Sequence, residues 1–169
     1  MMVVPITQER SNWCWAACVQ MSLGSFSHPT PTQCALASLA LPWQGQACGN
    51  CCSPQPAPDQ VDPCNVVLDT TLVTRLLAGF KIIAQQSNNV PPVETNLRAS
   101  LGPNSFAMAL VDLVAFHYMI VYTYDSAARL YGVANPAVSN QGLTSWSWPQ
   151  LNAGAGMQYL WRITDGVTS

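Results

Sequence analysis

The sequence predicts an α+β fold, and three observations carry that prediction. Helix-forming segments with apolar residues at three- and four-residue steps dominate the first part of the chain, whereas β-branched and aromatic runs separated by turn material dominate the last part. Helices first and strands last argue for a helical half packed on an antiparallel sheet, not for alternating βα units. The length, 169 residues, suits one domain with a core of its own. We therefore expect a single domain over 1–169, with a helical half at about 1–80 and a sheet half at about 81–169.

The elements follow in order. Ser11 or Asn12 is a good N-cap for "NWCWAACVQMSLGSF", which predicts a helix from about 12 to 24 with Gly24 near its end. "TPTQCALASLAL" predicts a shorter helix. The stretch from Pro42 to Pro63 is rich in Pro, Gly and Gln, shows no apolar period, and reads as a loop. "LDTTLVTRLLAGF" has helical spacing, and "KIIAQQ" reads as the first strand. "PPVETNLRASLG" reads as a short helix with Pro near its start and Gly after its end. "SFAMALVDL", "FHYMIVYTYD", "ARLYGVAN" and "MQYLWRITD" then read as strands, with "DSAA" and "NAGAG" as turns. There is no internal repeat.

Composition excludes several classes of function. Hydrophobic residues make up 49% and charged residues 8%, Lys81 is the single lysine, and the formal net charge is −2. That leaves no electropositive footprint for nucleic acid and no basic run to hold an anionic membrane. No apolar stretch reaches the roughly 18 residues needed to span a bilayer. "MMVVPITQER" has neither the basic nor the apolar region of a signal peptide, so a mature form or an effector exported without a cleaved signal is expected.

All seven cysteines lie in the first 64 residues: Cys14, Cys18, Cys34, Cys48, Cys51, Cys52 and Cys64. A long loop without a core needs an anchor, and disulfides supply one in a non-cytosolic protein. Six paired cysteines would make three bridges and leave one thiol over. Cys51 and Cys52 are expected to hold different partners. A zinc site from Cys48, Cys51, Cys52 and Cys64 is the rival reading, but the adjacent pair suits tetrahedral closure poorly and the paired spacing of zinc modules is lacking. No metal and no cofactor are expected.

The thiol left over is expected to be Cys14. It sits in the first turn of the first predicted helix, where unpaired N–H groups and the positive end of the macrodipole favour a thiolate. Cys18, one turn further in, loses most of that benefit and reads as structural. Of the two histidines, His28 lies in a solvated turn before Pro29, whereas His117 opens a strand and places a polar ring on an apolar element. The following strand ends at Asn135-Pro136, so a hairpin would bring Asn135 to His117. Trp13 and Trp15 flank Cys14 and read as packing residues at the helix start. Trp146 and Trp148 are expected to pack on the sheet, one of them shielding the His117–Asn135 contact.

Gln8, then Cys14-Trp15, then a histidine at a strand start and an asparagine at the end of the next strand resemble the papain-like cysteine proteases. "WCWAAC", with "TQCALA" after it, is most similar to the bacterial secreted or effector branch. The resemblance spans about Gln8 to Pro136. It implies a papain-like fold with Cys14 as nucleophile, His117 as general base and then acid, Asn135 as the orienter of His117, and Gln8 as oxyanion-hole donor beside the Cys14 backbone N–H. It also implies a secreted or periplasmic monomer that takes a protein or peptide substrate, with an inhibitor or immunity protein as a further partner. Two departures stand out. That branch often has glycine before its histidine, where this chain has Phe116, and aspartate in place of Asn135. The same four residues suit other acyl chemistry: glutamine deamidation, transglutamination or cleavage of cell-wall peptides. A disulfide-stapled binding module with Cys14 in a bridge is the non-enzymatic alternative.

Overall fold

A computed structural model describes residues 2–57, 59–87, 91–112, 115–137, 143–154 and 156–166. Its helices are α1 (Cys14–Ser25), α2 (Gln33–Ala40), α3 (Thr70–Gly79) and α4 (Glu94–Ser100), with a 3₁₀ turn at Leu41–Gln44. The strands are β1 (Ile82–Gln86), β2 (Ser105–Asp112), β3 (Phe116–Asp125), β4 (Leu130–Ala134), β5 (Leu143–Trp146) and β6 (Met157–Asp165). They form one six-stranded sheet in the order β1-β6-β2-β3-β4-β5, with every neighbouring pair antiparallel.

Period-two alternation divides the sheet residues between two cores. Phe106, Met108 and Leu110 of β2 and Tyr118 and Ile120 of β3 join a core that includes Trp13, Trp15, Val19 and Leu23 at the start and body of α1. Ala107, Ala109, Val111, Met119 and Val121 face a second core closed by Leu97 of α4 and Leu151. Helix α1 is buried from Cys14 to Leu23, so it has no polar face to orient it. Tertiary contacts place it, and the most important lie at its N-terminus.

Several elements depart from the sequence reading. Neither Ser11 nor Asn12 caps α1. The Asn12 N–H and side-chain amide both bond Asn65 (2.9 and 2.8 Å), and the Ser11 hydroxyl accepts from Asn65 Nδ2 at 2.8 Å. Trp13 takes the N-cap position without a side-chain cap, which makes Cys14 the first helical residue. Strand β5 and a π-helical turn at Gln150–Gly154 were not foreseen. Leu113, at the end of the "SFAMALVDL" run, and Ala155, in "NAGAG", lie outside the described residues.

The cysteines form two bridges, not three: Cys34–Cys52 and Cys51–Cys64, so that Cys51 and Cys52 do hold different partners. Cys14, Cys18 and Cys48 are free and buried. Cys18 is buried within α1, and Cys48 lies beside a disulfide whose sulfurs are already paired. Those placements remove the third bridge.

Candidate active site

The N-terminal segment reaches the site through a set of side-chain anchors. The buried Gln33 holds residues 7–9, accepting from the Glu9 N–H at 2.9 Å and donating to the Thr7 carbonyl at 2.8 Å. Arg10 stacks on the Trp13 ring, pairs with Asp62, and donates to the Cys51 and Ser53 carbonyls. The two indoles flanking Cys14 both donate to one segment, Trp13 Nε1–H to the Cys64 carbonyl at 2.6 Å and Trp15 Nε1–H to the Val66 carbonyl at 3.1 Å. This explains why tryptophans surround the thiol. They bracket the start of α1 to residues 64–66, and their rings are almost wholly buried in the main core.

Cys14 is 2% exposed and heads α1, at the positive end of its dipole. Burial pushes its pKa up, and backbone N–H groups of Tyr118, Trp15 and Cys14 itself act in the opposite direction. Cys18 has its pKa pushed well up, by burial first and by the Cys14 charge second. It packs in the main core.

His117 and Asn135 meet through sheet register. Ile120 pairs with Ala134, so the continued ladder sets Met119 beside Asn135 and makes His117 the diagonal neighbour of Asn135 on the same face. Their side chains bond, His117 Nε2 to Asn135 Oδ1, at 2.8 Å. The same Oδ1 accepts the Ala137 N–H at 2.9 Å. A backbone N–H can only donate, so the Asn135 atom between the two groups is the oxygen, and His117 must present Nε2–H to it. Nδ1 is left with its lone pair free for a proton. Burial lowers the His117 pKa, and the bond to Asn135 raises it in part.

Gln8 is joined to the other end of this pair, because its backbone N–H donates to the Pro136 carbonyl at 3.0 Å. Its side-chain amide donates to the carbonyls of Arg10 (3.1 Å) and Ser11 (2.6 Å), while its Oε1 is buried without a partner. His28 stands apart and pairs with Asp165 at the end of β6 at 3.0 Å. Trp146 sits opposite Tyr131 and packs with Trp148 on the second core, so neither indole belongs to the core that holds Cys14.

Two cavities border the site residues. One of about 590 Å³ is lined by Leu68, Leu110, Phe116, Tyr118 and Tyr159, with Gln44 and Asp69 also in its wall. Phe116, 56% exposed, thus becomes a wall beside His117. Another, of about 440 Å³, is lined by Gln8, Ser11, Gln55, Asp62 and Asn65 among others. The sequence reading missed Asn65, Arg10 and the Tyr118 N–H. The first two are ordinary polar residues whose partners lie some fifty positions away, and the third is backbone.

No protein-family model matches the chain, and no curated protein matches it. Solved structures do. One is the peptidase domain of Streptococcus ComA, a bi-functional ABC transporter involved in a quorum sensing pathway, with a TM-score of 0.65 and 10% identity over 97% of this chain and 99% of that one. The fold is papain-like. A second similar structure is a double glycine motif protease from an AMS/PCAT transporter in complex with the leader peptide, with a TM-score of 0.56 and 13% identity over 96% of this chain and 92% of that one. Both are peptidase domains, and the likeness at these identities is one of architecture. Cys14 is a free thiol, which removes the pairing on which a stapled binding module would rest.

Proposed function

We propose that the chain is a cysteine peptidase that cleaves peptide bonds through an acyl-enzyme on Cys14. One observation carries the reading: the shared Asn135 Oδ1 fixes the His117 tautomer, leaving Nδ1 as a base, in a fold whose first helix begins at a free Cys14. Burial raises the Cys14 pKa and lowers that of His117, and both shifts favour the neutral forms. His117 Nδ1 takes the thiol proton as Cys14 Sγ attacks the substrate carbonyl, and the resulting imidazolium gives that proton to the leaving amine. Water, deprotonated by the same nitrogen, then releases the acyl group.

The Cys14 backbone N–H at the head of α1 is one donor to the developing oxyanion, and Gln8 Nε2 is the second. In the free structure Gln8 spends its amide hydrogens on Arg10 and Ser11, so substrate binding has to turn it. The cavity under Phe116 and Tyr159 would seat an apolar side chain of the substrate. Asp69, kept ionised by the Thr71 hydroxyl and N–H, would disfavour an acidic one there. The double glycine motif protease was solved with a leader peptide, which supports an extended peptide as substrate class. Two disulfides support a life outside the reducing cytosol, in the periplasm or secreted, and the bacterial effector reading rests on the motif "WCWAAC".

The test is a quenched-fluorescent peptide library with apolar, acidic and basic residues varied on the acyl side. Cleavage that favours apolar residues and is abolished in a folded Cys14→Ala variant is the expected result. Product formation that survives Cys14→Ala, or release of ammonia from glutamine without chain cleavage, would overturn the proposal.

A further inference from the structure

The third free cysteine is not isolated. The Sγ atoms of Cys48, Cys51 and Cys64 all lie within 4.8 Å of one another, and two of them form the Cys51–Cys64 bridge. Cys48 is 8% exposed, and its one hydrogen bond, to the Gln46 carbonyl at 3.7 Å, is weak. A thiol this close to a disulfide is placed for exchange, which needs access of the attacking sulfur to the bond and no outside oxidant. Cys48 and Cys51 are also three apart, in "CGNC", so a bond between them closes a very short loop.

We infer that the three sulfurs form an internal thiol–disulfide switch. Cys48 loses its thiol proton to solvent and its sulfur attacks Cys51 Sγ. The Cys48–Cys51 bond forms as Cys51–Cys64 breaks, and the electron pair leaves on Cys64 Sγ, which takes up a proton. The count of thiols and disulfides is unchanged. What changes is the attachment of Cys64, whose carbonyl holds Trp13 and whose neighbours Asn65 and Val66 hold Asn12 and Trp15. With the bridge intact, this bracket is fastened to the loop that Arg10 grips at Cys51 and Ser53. After exchange the bracket is fastened to nothing covalent, and the head of α1 loosens. That this regulates turnover rests on the proposed role of Cys14; the exchange itself rests on the three sulfurs alone.

The experiment uses a Cys14→Ser background, so that it is independent of peptidase activity and of labelling at Cys14. The protein is held at about pH 8, where a typical thiol is partly ionised, with a limiting amount of N-ethylmaleimide. It is then digested with pepsin in acid without reductant. Label accumulating on Cys64 together with a Cys48–Cys51 linked peptide is the expected result, and adding Cys48→Ser must abolish both. Amide hydrogen exchange of residues 8–18 and 64–66 should be several-fold faster in the labelled protein than in the Cys48→Ser variant. Label on Cys48 with Cys51–Cys64 retained, a Cys48–Cys64 bridge, or unchanged hydrogen exchange would each overturn the switch.

Discussion

Replacing Asn135 by Ala tests the link on which the site depends. Asn135 Oδ1 accepts two hydrogen bonds, from His117 Nε2–H at 2.8 Å and from the Ala137 N–H at 2.9 Å, and the residue is 9% exposed. One such bond has a net worth of about 0.5–1.5 kcal/mol, so its loss releases the ring's tautomer and orientation by roughly two- to tenfold. The full contribution of a general base, about 10²–10⁴-fold, is an upper bound reached only if the ring leaves the thiol altogether. The expected outcome is a fall in kcat/KM of about tenfold, with the same fall in the rate of Cys14 alkylation by iodoacetamide. Stability should drop by about 0.5–1.5 kcal/mol for each bond lost, since the exposed Ala137 N–H can turn to water. Asn135→Asp keeps both acceptor bonds and should restore the tautomer, which ¹⁵N shifts of the imidazole report directly. If Asn135→Ala alkylates at the parent rate and its imidazole still carries the proton on Nε2, the orienting argument is wrong.

Other outcomes follow from the same geometry. Gln8→Ala should reduce kcat by about 10²–10³-fold, the usual loss for one oxyanion donor, and a change confined to KM would make Gln8 a binding residue instead. Burial holds the His117 pKa below its usual 6.5, so the unfolded chain takes up this proton first. The resulting stability is complete above about pH 6.5 and is lost as pH falls through the lower folded value. The urea midpoint should therefore drop on acidification, by less in His117→Gln, and equal slopes in the two proteins would refute the assignment. The double variant Cys34→Ser/Cys52→Ser opens an 18-residue loop and should cost about 3 kcal/mol, read from chemical denaturation; an unchanged midpoint would show that the bridge contributes nothing.

What could be read from the sequence was whatever depends on local periodicity. The helices at 14–25, 33–40, 70–79 and 94–100 and five of the six strands follow from spacing, capping and turn residues. Strand β5 escaped because "LTSW" is four residues long and half exposed, with no apolar run to mark it. His117 and Asn135 could be paired from the sequence because a hairpin joins them, and a hairpin converts sequence distance into register. The N-cap failed for the opposite reason. Ser11 and Asn12 have the right chemistry, but Asn65, more than fifty residues away, takes up their hydrogen-bonding groups. The cysteine pairing failed in part for a similar reason. That Cys18 points into the core under Cys14, and that Cys48 arrives beside a bridge already made, are facts of packing.

The position of the site residues along the chain also sets the order in which a newly made molecule acquires them. Cys14 precedes His117 by about a hundred residues, and β6, which pairs between β1 and β2, follows every other described strand in the sequence. At about 5–20 residues per second of synthesis, the thiol exists for roughly 5–20 s before any base for it has been made. All four bridging cysteines emerge in that interval, since Cys64 too comes before His117. The four bridging cysteines therefore share with Cys14 the stretch of chain made before its base. Among the described strands β6 is made after β1 and β2, so it enters the sheet between two neighbours already in existence.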